Sequence, residues 1–259
     1  MSTSGATGRA DRNPVLIQGF RRRVSVGACV IAVVIAGIIG GCVPPRPTPS
    51  PEATPSAAAL PSSAAPAGWT DHPIEAAGVS LALPDGWLAL DEAALADPDE
   101  RRRLEADFAG AEALFGRLDA QGRQARLVFL GVDARARGTG RFASTVTVVA
   151  VEPALPPLLL GIGADFTMNA LERAFAIETD VTRTDVATPV GEGIRIAFAH
   201  RVVGAAGGPG VLAEHDGTLV TTGEASFLVS RNVDPETAPA DSPTLDEFLA
   251  TLRRLPFRS

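Results

Sequence analysis

The chain has 259 residues, 46% of them hydrophobic and 20% charged, a composition that suits a folded protein and excludes a disordered one. All 23 basic residues are arginine, and tyrosine is absent. Residues 1–42 hold five arginines and one acid, which leaves 18 arginines against 29 acids, a charge of −11, in the remainder; an acidic surface repels phosphates, so nucleic acid is excluded as a natural partner.

At the N-terminus, Arg21, Arg22 and Arg23 precede an uncharged run from Val24 to Gly41. A positive flank, an apolar run, small residues and then a cysteine is the order of a secretory signal. The arginines stay on the cytoplasmic side, so everything downstream faces outward. As a helix, the 18-residue run would measure about 27 Å, marginal for a permanent membrane span, which wants about 20 residues. Ile39-Gly40-Gly41-Cys42 resembles the bacterial lipobox, in which an aliphatic and two small residues precede the cysteine that becomes the mature terminus. That resemblance implies cleavage after Gly41 and acylation of Cys42 with palmitate-like chains. Each buried CH₂ adds about 0.8 kcal/mol of membrane affinity, so several chains on one residue anchor firmly. Two readings stay open: a cleaved lipoprotein lipid-anchored through Cys42, and an uncleaved single-pass transmembrane anchor with the C-terminal domain outside. Export by the general or the twin-arginine route is open as well. Besides Cys42 there is only Cys29, inside the apolar run, so the following residues can form neither a disulfide nor a thiolate metal site.

Residues 1–41 are therefore expected to be a signal peptide or signal anchor, and residues 42–67 a lipidated cysteine followed by a disordered linker. The linker, "VPPRPTPSPEATPSAAALPSSAAPA", is rich in Pro, Ser and Ala and cannot build a core. In an extended polyproline form, at about 3.1 Å per residue, it would reach roughly 70 Å.

The folded domain is expected over residues 68–259. Gly78–Leu83 alternates like a short strand and turns at Pro84-Asp85-Gly86, with Trp87 packed beneath. Asp97, Pro98 and Glu100 punctuate a helix start, and Leu104, Phe108, Ala111, Phe115 and Leu118 form one apolar stripe. Strands are predicted at 126–133, 144–151, 177–186, 193–203, 211–221 and 224–232. Pro156-Pro157 opens a second helix whose packed side carries Leu159, Ile162, Phe166 and Ala170. Thr244 and Glu247 make a capping box for a last helix, with Leu245, Phe248, Leu249 and Leu252 buried.

The order β-α-β-β-α-β-β-β-β-α has long antiparallel runs, so the expected fold class is α+β, an antiparallel β-sheet flanked by helices. The opening "GVSLALPDGW", the long first helix and the closing "LDEFLATLRRLPF" together resemble the PsbP-like α/β/α sandwich, within it the LpqN-type lipoproteins of actinobacteria. The resemblance covers residues 70–259 through turn and core positions. It implies a sheet flanked by helices used for docking onto protein partners, and it brings no catalytic residues.

Few residues suggest chemistry. His72, His200 and His215 have no metal-ligand spacing, so no metal and no cofactor is expected. His200 shares a predicted face with Ile194, Ile196 and Phe198 and reads as a structural residue, and His215, in Glu214-His215-Asp216-Gly217, reads as a solvated turn. Neither a G-x-S-x-G elbow nor an S-x-x-K motif occurs. The glycine-rich loop at 204–210 lacks the lysine of a phosphate-binding loop. Gly161 and Gly163 inside a helix cost up to about 1 kcal/mol each relative to Ala and suggest close packing or a kink. Glu178 and Asp180 share a predicted strand face, as paired catalytic carboxylates would, but a solvated face with Thr182 and Thr184 is the expected reading, and Arg101, Arg102 and Arg103 read as a surface ion-pair network. The expected function is a membrane-anchored, non-enzymatic protein-binding or scaffold domain in the cell envelope, on the extracytoplasmic face, with an envelope protein as partner. The alternative is a small-ligand or lipid carrier, or an envelope hydrolase assembled from scattered acids and histidines.

Overall fold

The computed structural model describes residues 65–112, 114–116, 125–174, 176–202 and 210–256. Gly41, Cys42, the arginine cluster, most of the linker, Leu118 and all of the glycine-rich loop except Gly210 lie outside the described residues. No helix among the described residues is long and apolar enough to cross a membrane.

Two antiparallel sheets carry the domain. The small sheet joins β1 (Trp69–Ile74), β2 (Val79–Pro84) and β11 (Arg253–Arg254) in the order β1-β2-β11. The large sheet runs β3 (Trp87–Asp91), β4 (Ala125–Asp133), β5 (Thr145–Val151), β10 (Ser226–Val233), β9 (Val211–Thr221), β8 (Gly191–Val202) and β6 (Ala176–Ile177), with β7 (Thr182–Thr188) also paired to β8. Helices α1 (Glu92–Ala96), α2 (Pro98–Asp107) and α3 (Leu160–Ala174) cover one face of it, and α4 (Leu245–Ala250) packs with the small sheet on the other. The α+β expectation is met, with two differences. A second sheet stands where only helices were expected, and the segment expected as one strand at 177–186 divides into β6 and β7.

Period-two alternation explains the layers. In β5, Val146, Val148 and Ala150 point into the core shared with the small sheet, alongside Phe227 and Val229 of β10 and Leu81, Leu83 and Phe248. The uninterrupted apolar run of β4 has a local cause. A register shift between Leu127 and Phe129 lets both Val128 and Phe129 face that core, while Leu127 and Leu130 face the helices. Trp69 and Trp87 close on the Phe248 ring at 5.5 and 5.3 Å between centroids.

On the helix face, two separate apolar clusters form. Leu90, Leu95, Leu104, Phe108, Phe115 and Leu130 gather at the β3 and β4 edge. Leu160, Ala164, Leu171, Ile194, Ile196, Phe198 and Leu219 gather under α3. The helix expected to start at Asp97, α2, is shorter than its apolar stripe suggested. It stops at Asp107, and Gly110 adopts φ 90°, a left-handed turn that non-glycine residues rarely take. The last helix also ends early, at Ala250, because the chain turns back to pair Arg253 and Arg254 with Ser80 and Val79.

The two poles of the large sheet differ. The described chain begins at one pole, where the Asp85 amide donates to the Gly68 carbonyl at 2.7 Å and the Ala134 amide to the Gly86 carbonyl at 3.1 Å. At the opposite pole, Arg254 donates to the Val190 carbonyl at 3.0 and 2.7 Å, clasping the small sheet to the β7–β8 turn. The segment leading into α3 sits at this second pole, where the Leu155 amide donates to Ser226 Oγ and the Thr221 hydroxyl donates to the Leu155 carbonyl, both at 2.7 Å.

Candidate functional site

Between the two clusters on the helix face runs a polar seam built by strand register. Thr145, Asn232, His215 and Phe198 lie side by side across β5, β10, β9 and β8, and Thr147, Ser230, Gly217 and Ile196 form the next row. His215 is 5% exposed and its ring stacks on Phe198 at 4.6 Å between centroids. His215 Nδ1 lies 2.8 Å from Asn232 Oδ1, and since an amide oxygen only accepts, Nδ1 is the donor of this bond. His200 is 2% exposed, with its ring 6.4 Å from that of His215.

Gly217 makes room for this arrangement. A Cβ there would stand 2.9 Å from Ser230 Oγ and 3.0 Å from His215 Nε2, so only glycine lets both side chains converge over the strand. A serine, an imidazole and an amide that orients the imidazole are the parts of a hydrolytic triad. Ser230 is 2% exposed, however, and among the described residues its hydroxyl makes no hydrogen bond to Nε2.

His200 therefore lies where the sequence placed it, on the face of Ile194, Ile196 and Phe198. His215 does not. It is a buried mid-strand residue and not a solvated turn, because Glu214, Asp216 and Gly217 continue the β9 ladder with Ala199, Ala197 and Ile196. His72 is far from both, half-buried on β1 with its ring 5.8 Å from Phe129; burial holds its pKa below the ordinary histidine value, and Asp71 opposes this. Among the described residues no group of three or more His, Cys, Asp or Glu side chains is placed to hold a metal.

The surface candidates behave as solvated groups. Glu178 accepts from Arg201 at 3.1 Å, and Asp180 is exposed. Arg102 pairs with Asp99 and Arg103 with Glu100, while Arg101 donates to the Leu95 carbonyl at 2.6 Å and lies over the Phe115 ring. A further ion-pair centre was not anticipated. Arg195 on β8 binds Asp216 of β9 and reaches Asp246 in the first turn of α4 at 2.9 Å, and both carboxylates raise its pKa.

The clearest departure from expectation concerns α3. Its packed side carries Leu160, Ala164 and Leu171, so the helix is rotated relative to the predicted stripe. Ile162 is 46% exposed and Leu158, in the single 3₁₀ turn before α3, is 91% exposed. With Pro156 and Pro157 also exposed, they form an apolar tip at the pole opposite the first described residues. Gly161 and Gly163 do allow close packing: a Cβ on Gly161 would meet the Arg183 guanidinium at 3.1 Å, and one on Gly163 would overlap Leu155. The signal for an open apolar face was present in the sequence. Apolar residues surround this helix on more than one side, which a helix covered on a single face does not need.

No protein-family model matches the chain, and no curated protein matches it.

Proposed function

We propose that this chain is an envelope lipoprotein, acylated on Cys42, whose PsbP-like domain is a non-enzymatic docking module for a protein partner outside the membrane. The observation that carries the reading is the apolar tip formed by Leu158 and Ile162 at the pole away from the point where the upstream chain joins the domain. The order of Arg21–Arg23, an uncharged run and Ile39-Gly40-Gly41-Cys42 supports the anchor. The antiparallel sheet with helices packed on one face supports the PsbP-like architecture, and the small second sheet on its other face departs from it.

The test is mass spectrometry of the N-terminus together with fractionation of the Cys42→Ser variant. A mature chain starting at acylated Cys42, and loss of the variant from the membrane, is the expected result. A terminus at Met1, with the variant retained in the membrane, turns the reading to a single-pass anchor.

A second reading, an envelope hydrolase, is favoured by one observation, the convergence of Ser230, His215 and Asn232. A fluorophosphonate probe separates the two. The docking reading expects no labelling of Ser230, and stoichiometric labelling abolished by Ser230→Ala would establish the hydrolase.

A further inference from the structure

We infer that β7 is a homodimer interface: two copies of this chain pair antiparallel through it about a two-fold axis at Thr184, joining their large sheets into one. The inference goes beyond the docking reading and depends neither on it nor on the anchor.

The first observation is an open edge. β8 satisfies only one side of β7, so alternate amides and carbonyls along the other side point away from the sheet. The side chains from Thr182 to Asp185 are all exposed. Edge strands are commonly kept from pairing by proline, by short length or by cover. Among the other described strands that end a sheet, β1 carries Pro73, β6 and β11 have two residues each, and β3 is buried or half-buried from Trp87 to Leu90. β7 has seven residues and none of these guards.

The second observation selects the partner. Arg183 and Asp185 lie two apart and so share one face of the sheet, the face beneath α3, where Arg183 binds Asp165. An antiparallel two-fold at Thr184 sets each residue opposite the one equally far beyond 184 on the second copy. Arg183 thus meets Asp185 of the second copy, and Asp185 meets that copy's Arg183, giving two opposite-charge pairs from one strand. Asp185 makes no ion pair among the described residues, and a guanidinium has donors to spare after one bond, so Arg183 can serve this carboxylate as well as Asp165. An edge guarded by like charges repels its own copy, whereas this one attracts it. The backbone agrees with the charges. Residues opposed in this register are both odd or both even, so the outward amides and carbonyls of one copy meet those of the other.

The experiment uses the full chain purified in mild detergent, with Thr184→Cys or Thr182→Cys introduced and the native chain, which keeps Cys29 and Cys42, as the blank. Opposed residues of an antiparallel pair stand about 4.5–5.5 Å apart at Cα, within disulfide range. Mild oxidation should give a dimer with a 184–184 disulfide peptide, and about tenfold less from position 182, which faces Val186 in this register. In the Thr184→Cys chain, Arg183→Asp or Asp185→Arg sets like charges opposite each other and should lower the yield about tenfold. Mixing these two variants before oxidation makes both pairs opposite in charge again and should restore it, which damage to either fold could not do; circular dichroism checks that each is folded. Cells oxidised before lysis should give the same 184–184 dimer. Equal yields from 182 and 184, a yield indifferent to the charge reversals, a mixture no better than its components, a 184 adduct to a different protein in cells, or no crosslink above the native blank overturns the inference.

Discussion

His215 and Asn232 face each other across β9 and β10, and the 2.8 Å bond between Nδ1 and Oδ1 fixes the orientation of a buried imidazole. The bond matters because the seam lies between two apolar clusters, where a polar group that loses its partner keeps the full cost of desolvation. Asn232→Leu is expected to destabilise the domain by about 1–3 kcal/mol. Urea denaturation measures it, and an unchanged midpoint would mean that the bond contributes nothing net.

Two glycines should respond differently to alanine. A Cβ on Gly191 would overlap the Thr221 carbonyl, which is β-ladder backbone and cannot yield without parting β8 from β9. A Cβ on Gly163 meets the end of the Leu155 side chain, which can turn aside, and alanine returns up to about 1 kcal/mol of helix propensity. Gly191→Ala is expected to cost about 3 kcal/mol, at the upper end of overpacking, and Gly163→Ala markedly less. Thermal unfolding of the two variants under one condition decides the order.

His72 gives a pH dependence whose sign follows from its burial. Its pKa in the folded domain is below the unfolded value, so the unfolded chain takes up the proton first. The stability it contributes is present above the ordinary histidine pKa and is lost as pH falls through the folded value. The stability difference between the native chain and His72→Gln should therefore narrow between about pH 7.5 and 5. A difference that widens on acidification would refute the assignment.

The capping box of α4 is the simplest local prediction. Thr244 Oγ1 accepts from the Glu247 amide at 3.3 Å, and Glu247 Oε2 accepts from the Thr244 amide at 2.7 Å. Thr244→Ala should cost about 1 kcal/mol. Because Phe248 on this helix supports both tryptophans, a shift in tryptophan fluorescence should accompany the loss.

The capping box was legible in the sequence because a cap is a local pattern, and so were the ends of β9, though not the burial of His215 within it. The face of α3 was not. Leu159, Ile162, Phe166 and Ala170 have as good a helical spacing as Leu160, Ala164 and Leu171, and only the sheet beneath decides which set is covered. His215 was lost for a related reason. Glutamate, histidine, aspartate and glycine in succession favour a turn locally, and pairing with β8 and β10 overrides that preference. β11 is two residues long and exists only because β2 is there to receive it. Ser230 and Asn232 come near His215 through register alone, which no spacing in one segment encodes.

The clasp between β2 and β11 also sets an order on assembly. The Ala82 amide donates to Thr251 Oγ1 across 169 positions, and the edge of β2 is completed only by Arg253 and Arg254. Strands β1 and β2 thus wait for β11, far along the chain, before their sheet can close. Contacts of such sequence separation form slowly because the loop must be closed before it is rewarded. Chains truncated before residue 245 would leave Leu81 and Leu83 without Phe248 and Leu252 to bury them, and would be the natural substrates of quality-control proteases.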